Sequence, residues 1–429
     1  MNGLSIIFIV FVVMLVLRVP IAYCLGLSGM AYIAMTGNFD MTSFASVMVR
    51  SVDSFPLMAV PFFILAGALM TAGGISKQIV QFATALVGRV TGGLAMVAVV
   101  ACAFFAALSG SGIATTAAIG AIMIPEMEKN GYAKPFSAAL IAAAGCLGPI
   151  IPPSEPMVMF GASTETSISA MLIGGLLPGV LLAALLMVFA YFYAKKNNIK
   201  KGGSFSPCDI ARSFLSAIPA LLVPMIILGG IYSGLFTPTE AAAVAVVYSL
   251  FAGTVIYREI NLKNLKAALV DSAAQTGNIM IIAAAATFFA RMLTMEQFHT
   301  LVKNFVLGAT SSKIIVMLLL NVILLLLGCL MDTTPIILVF APILLPVATA
   351  YGVNPVHFGV MMCANLAIGL ITPPVGVSLY VAAGQADVPF TQVLKNIYKP
   401  LAMLLIGLMV ITYCEPFVTL LPRLLGVMK

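Results

Sequence analysis

The sequence predicts an all-α integral membrane protein built as an inverted repeat, with about ten membrane spans and two re-entrant helical hairpins. Three observations lead there. Of 429 residues, 62% are hydrophobic and only 8% charged, where a soluble domain carries about 25% charge. The chain matches itself at one offset, 221 residues. It also twice interrupts an apolar stretch with glycine and a proline pair, in GPIIPPSEP at 148–156 and GLITPPVGV at 369–377.

In chain order, the uncharged runs 4–17 and 21–36 read as membrane helices. No basic segment precedes the first, and a second apolar run follows directly after Arg18-Val19-Pro20, so the opening stretch does not read as a signal peptide. Residues 41–52, 74–88, 262–274 and 295–307 alternate apolar positions with Ser, Lys, Gln and Asp. Two readings stand for these stretches: arms lying flat in the interface to brace a moving domain, or plain connectors. ALSGSGIATTAAIGAIMIP at 107–125 sets small and hydroxyl residues between two apolar arms, each too short to span comfortably. It reads as a re-entrant hairpin with its tip near the midplane. The runs 168–194, 214–233, 237–257, 272–293, 314–331 and 400–414 supply further spans, and CLMDTTPIILVFAPILLP at 329–346 supplies the second hairpin.

At the 221-residue offset Pro125 meets Pro346, Gly131 meets Gly352, Gly148 meets Gly369, and Pro152-Pro153 meets Pro373-Pro374. Upstream, 71–88 pairs with 294–309 only at a slightly longer shift, as drifted duplicates do. Asp332 falls opposite Ser111 and Thr333 opposite Gly112. Lys195, Lys196, Lys200, Lys201 and Arg212, then Arg258, Lys263 and Lys266, cluster between apolar runs and mark cytoplasmic loops. The net charge of +7 is therefore a topology signal and calls for no nucleic-acid partner. Counting spans from those loops makes the two broken segments run in opposite directions, with both termini periplasmic.

Each proline pair removes backbone donors and bends the preceding residues out of helical geometry. Inside a bilayer the freed carbonyls must be buried in protein or line a wet cavity. Oxygens so placed suit a hard cation such as sodium, and paired discontinuous helices near the midplane are the organisation of secondary transporters. Asp332, between apolar arms, is a candidate functional group by its position alone. Glu155 either points into the same cavity or faces water from the break. The seven cysteines show no paired spacing, and no phosphate-binding glycine loop is present. Energy then comes from an ion gradient or from another subunit.

LSGSGIATTAAIGAIMIPEM (108–127), GYAKPFSAALIAAAG (131–145), GPIIPPS (148–154), GLFTPTEAAAVA (234–245) and HFGVMMCANLAIGLITPPVG (357–376) resemble the large membrane subunit of tripartite ATP-independent periplasmic (TRAP) transporters. The resemblance covers nearly the whole chain. It implies an elevator-type transporter of the bacterial inner membrane that imports a small organic anion with Na+. A soluble periplasmic substrate-binding protein delivers the substrate, and a separate small four-helix membrane subunit extends the scaffold. Scaffold would comprise 1–89 with the first arm, 164–310 with the linker and second arm, and 387–429. The transport domain would comprise 90–163 and 311–386.

The resemblance also implies a first sodium site of Ser109, Ser111, Gly148, Ile151 and Pro153, and a second of Asp332, Thr333, Gly369, Thr372 and Val375. Thr115, Ser154, Glu155 and Asp332 are the candidate substrate contacts. Thr115 replaces an acid found in some sialic-acid members, and Glu155 stands where a small or apolar residue is usual. A four-carbon dicarboxylate and sialic acid are both open as substrates. The alternative is a stand-alone ion-coupled anion carrier or antiporter of the same fold. An enzyme of the intramembrane aspartyl-protease kind requires two apposed membrane carboxylates, and only Glu155 is available to Asp332.

Overall fold

A computed structural model describes residues 3–17, 19–37, 41–88, 90, 92–199 and 207–428. Among them every regular element is helical. Lys200 and Lys201 of the basic linker lie outside the described residues. Helices α1 (Gly3–Val16) and α2 (Ile21–Thr36) form an antiparallel pair, entered at Pro20. The amphipathic α3 (Met41–Val52) runs through a 3-10 turn at Pro56–Met58 into α4 (Ala59–Ala72), bending by 63°. Pro56 has no amide hydrogen to continue the ladder of α3, which is the local cause of the bend. Next come α5 (Ile75–Val87), α6 (Gly93–Ser109) and α7 (Gly112–Lys129).

Helices α6 and α7 are the first hairpin. Gly110 turns the chain with φ +63°, a conformation that glycine adopts without strain. A 17-residue arm is roughly 25 Å long, short of the ~30 Å hydrocarbon core. Helices α8 (Lys134–Gly145) and α9 (Glu155–Thr164) are the halves of the first broken segment, separated by the non-helical 146–154. Then follow α10 (Ile168–Gly174), α11 (Leu176–Lys196), α12 (Pro207–Tyr232) and α13 (Pro238–Phe251). At the start of α13, Thr237 and Glu240 cap each other's backbone amides.

The second half repeats the plan with α14 (Leu262–Met295), α15 (Phe298–Ala309), α16 (Lys313–Gly328) and α17 (Thr333–Ala350). Helices α18 (Pro355–Gly369) and α19 (Val377–Ala386) flank the second break, followed by α20 (Phe390–Tyr413) and α21 (Glu415–Leu424). The packing follows the repeat in crossed pairs: α2 lies on α14 as α13 lies on α4, and α9 lies on α17 as α19 lies on α7. Helices α8 and α18 form the centre. Phe136 to Gly145 and Val356 to Gly369 are buried on every side, as a helix apolar all round must be.

Two sequence expectations change. Residues 262–274 are neither a flat arm nor a connector; they are the first third of α14, a single helix of 34 residues. No proline stops it, because Gly277 stands where the first half has Pro56. Two helices lie outside the sequence expectations: α4, which falls within the uncharged stretch 54–76, and the amphipathic α21. Among the described residues six helices are long and apolar enough to cross a membrane, or seven if the bent pair is one span. Five shorter apolar helices, α1, α2, α6, α16 and α18, accompany them.

Candidate functional site

The first hairpin tip meets the first break in van der Waals contact. A Cβ on Gly148 would collide with the Ser111 carbonyl and lie 2.8 Å from Gly112 N. One on Gly110 would stand 2.9 Å from the Pro153 carbonyl oxygen. Gly112 in turn faces the Gly145 carbonyl at the end of α8. Small residues are therefore required here, so that backbone oxygens come together without side chains between them.

Ser111 is the N-cap of α7 and accepts from Ala114 N at 3.4 Å. Ser109 Oγ lies 2.8 Å from Thr115 Oγ1, and Thr115 Oγ1 donates to the Ser111 carbonyl at 2.8 Å. Ser109 and Ser111 are half-buried, whereas Thr115 is fully buried. Ser154 is also fully buried; its hydroxyl donates to the Pro149 carbonyl at 2.5 Å and accepts from Met157 N. Both hydroxyls hold the local backbone. Ile151 is buried in the break.

The second tip is built the same way with an acid. Asp332, exposed at the tip, is the N-cap of α17 and accepts from Thr333 N at 2.7 Å. Gly369 packs on Gly328 so tightly that a Cβ would stand 2.6 Å from the Gly328 carbonyl carbon. Thr372 donates to the Ile368 carbonyl at 2.9 Å, and Thr372 and Val375 are half-buried in the non-helical turn. Bonds cross between the halves in both senses: Thr334 Oγ1 donates to Glu155 Oε1 at 2.9 Å, and Gln385 Nε2 of α19 donates to the Ala117 carbonyl of α7 at 2.6 Å. The second tip is thereby tied to the first break.

A cavity of about 530 Å³ opens beside this junction, within the range of small-molecule sites. One wall is Ser109, Ser111 and Ala114 of the tip, with Glu155. Glu155 thus borders this cavity. The opposite wall is Gly67, Ala68 and Thr71 of α4 and Asn264, Ala268, Asp271 and Gln275 of α14. Thr115, Ser154 and Asp332 are not among the lining residues.

Sequence reasoning missed Asn264, Asp271 and Gln275. Their signal was present, since 264, 267, 268, 271 and 275 follow the three- and four-residue spacing of one helix face. Two helix C-termini, of α6 and α8, and two helix N-termini, of α7 and α9, converge on the tip. The first pair presents partial negative charge to a cation and the second partial positive charge to an anion. The described residues contain no group of three His, Cys, Asp or Glu suited to a transition metal. Five cysteines, Cys24, Cys102, Cys146, Cys329 and Cys363, are buried and act as small apolar groups, Cys414 is exposed, and the Cys208 side chain lies outside the described residues.

A family model described as the DctM component of tripartite ATP-independent periplasmic transporters matches residues 8–417. The isethionate TRAP transporter permease protein DctMQ of Oleidesulfovibrio alaskensis is 42% identical over 416 residues, 96% of this chain and 65% of that one. The C4-dicarboxylate large permease DctM of Pseudomonas aeruginosa is 41% identical over 94% of each chain. The sialic acid large permease SiaM of Vibrio cholerae is 37% identical over 94% of this chain and 95% of that one. The crystal structure of the Alcanivorax borkumensis YdaH transporter shares the fold, with TM-score 0.65 over 87% of this chain and 88% of that one at 16% identity.

Proposed function

The chain belongs to the DctM component family of tripartite ATP-independent periplasmic transporters, and from that premise we propose that it imports a small organic acid anion coupled to sodium. It is a multi-pass membrane permease, and its relatives are permeases rather than enzymes. A soluble periplasmic binding protein hands over the substrate at the bacterial inner membrane, where a small membrane subunit completes the scaffold. The isethionate relative is longer than the matched region, and we read that extra length as room for such a subunit in one chain. The relatives carry a dicarboxylate, a sialic acid and isethionate by name. An organic acid is the class they share.

The observation that carries the reading is the cavity between the first tip and α14. Its tip wall offers hydroxyls and helix-terminal carbonyls, a hard-oxygen set that suits sodium. Ser109, Ser111, Gly148, Ile151 and Pro153 would hold one ion, and Asp332, Thr333, Gly369, Thr372 and Val375 a second. Glu155 borders the substrate space; Thr115 and Ser154 would act by fixing the backbone around it. By the positive-inside rule, Lys263 and Lys266 put the start of α14 in the cytoplasm. The cavity then opens inward, both termini are periplasmic, and the hairpins with the broken segments form the part that slides.

The test is uptake of radiolabelled succinate, isethionate and N-acetylneuraminate into liposomes holding this chain. Accumulation of one of them only with the small subunit, the binding protein and an inward sodium gradient is the expected result. Equal accumulation by this chain alone would favour the stand-alone carrier, and none at all would refute the function.

A further inference from the structure

Arg50 of α3 and Asp271 of α14 lie 221 residues apart, at the same register of the repeat, and their neighbours match as well: Val49 with Val270 and Ser51 with Ser272. Helix α14 is the unbroken counterpart of α3 plus α4, starting 221 residues after α3. Two equivalent places in the scaffold therefore carry opposite charge. Asp271 lines the 530 Å³ cavity, and no lysine or arginine lines it among the described residues.

The counterpart wall exists too. Ser51 of α3 and Ser54 just beyond its end, with Thr287 and Ala290 of α14, bound a smaller cavity of about 220 Å³; Arg50, the neighbour of Ser51, is exposed and stands beside this cavity in sequence without lining it. Across it stand Leu338 and Pro342 of α17, six and ten residues beyond the Asp332 tip. In the larger cavity the equivalent wall faces a tip directly. At 1.5 Å per residue, sliding the hairpins by roughly 9–15 Å would bring the second tip opposite α3 and withdraw the first tip from α14. The two cavities would exchange roles, and the wall now carrying Asp271 would be replaced by the α3 wall, with Arg50 at the register of Asp271.

We propose that Arg50 and Asp271 make anion affinity unequal on the two sides of the cycle, Arg50 favouring capture on the periplasmic side and Asp271 favouring release on the cytoplasmic side, while the sodium gradient sets the direction. This rests on the sodium-coupled sliding reading above. A unit charge several ångströms from an anion, in a cavity of intermediate dielectric, alters its affinity by about fivefold to thirtyfold. Like charge at the exit favours release, and opposite charge at the entrance favours capture.

Uptake kinetics in liposomes holding the three components test it, with whichever of the three organic acids accumulates. Arg50→Gln should raise KM about fivefold or more with turnover and sodium half-saturation little changed, and Arg50→Lys should restore KM to within about twofold. Asp271→Asn should slow turnover without raising KM. A residue serving only as an interfacial anchor would lower the amount of folded protein and leave KM alone; that pattern for Arg50, or unchanged kinetics in Asp271→Asn, would overturn the proposal. If the unaltered protein accumulates none of the acids, the function itself fails, which is a separate outcome. A second measurement needs no substrate. In a cysteine-free background, Arg50→Cys and Asp271→Cys should change thiol-reagent labelling reciprocally as sodium is added, and labelling that rises or falls together would also refute the exchange.

Discussion

Asp332 combines two roles that one substitution separates. As the N-cap of α17 it accepts from Thr333 N, and asparagine caps about as well as aspartate. Asp332→Asn should therefore leave folding intact while removing the charge proposed to hold sodium. We expect the sodium needed for half-maximal uptake to rise about tenfold, read from a sodium titration of initial rates. Ser111→Ala should shift it the same way with about 1 kcal/mol of lost stability, because it also deletes the cap on α7. Unchanged titrations in both would remove the site assignment. At this scale the sequence was partly legible. Ser109 and Ser111, which the family resemblance implies as sodium ligands, and Glu155, an acid conspicuous beside a proline pair, line the cavity. Thr115 and Ser154 were named as well, yet their hydroxyls turn to backbone carbonyls. Which way a hydroxyl points depends on the local turn, and composition carries no record of that.

At the scale of elements, glycine and proline made the hairpins and breaks readable. Gly110 turns the first tip, and Gly148 admits that tip to the break. Gly148→Ala should push the Ser111 backbone away, costing about 1–3 kcal/mol and most of the uptake. Gly229→Ala, where nothing lies within 4 Å of the added methyl, should be stable in the same assay. Equal melting temperatures and equal uptake for the two variants would show that the tip contact is unimportant. Helix α14 was harder to read. Its first third carries Lys263, Asn264, Lys266 and Asp271 and reads as an interfacial stretch by polarity, but it continues unbroken into the apolar third because no proline intervenes. Polarity there reflects a wet cavity wall, and a single sequence does not distinguish such a wall from a membrane surface. Helix α21 was missed for a related reason: Val418, Thr419 and Pro422 are buried while Leu420 and Leu424 are exposed, so neither an apolar run nor a polar loop announces it.

For the whole molecule, the inverted repeat supplies the account of movement. The crossed pairs α2 with α14 and α13 with α4 place the two scaffold halves around a centre formed by α8 and α18. The Thr334–Glu155 bond joins the second tip to the first break, so the hairpins and broken segments are expected to travel as one body. The repeat was visible in sequence through its Gly and Pro matches, which keep register because loss of either would open or clash a break. The two cavities differ in volume, about 530 and 220 Å³, and under the sliding reading proposed above that difference corresponds to halves caught in different roles. The most direct test is a spin-label distance between the exposed Leu262 at the start of α14 and the exposed Glu126 near the end of α7. Both labels sit on exposed helix ends, so neither side chain disturbs the tip. In membranes with the small subunit present, the account predicts two distances whose separation corresponds to a slide of roughly 9–15 Å, with populations shifting as sodium and substrate are added. A single distance, unmoved by either, would contradict it.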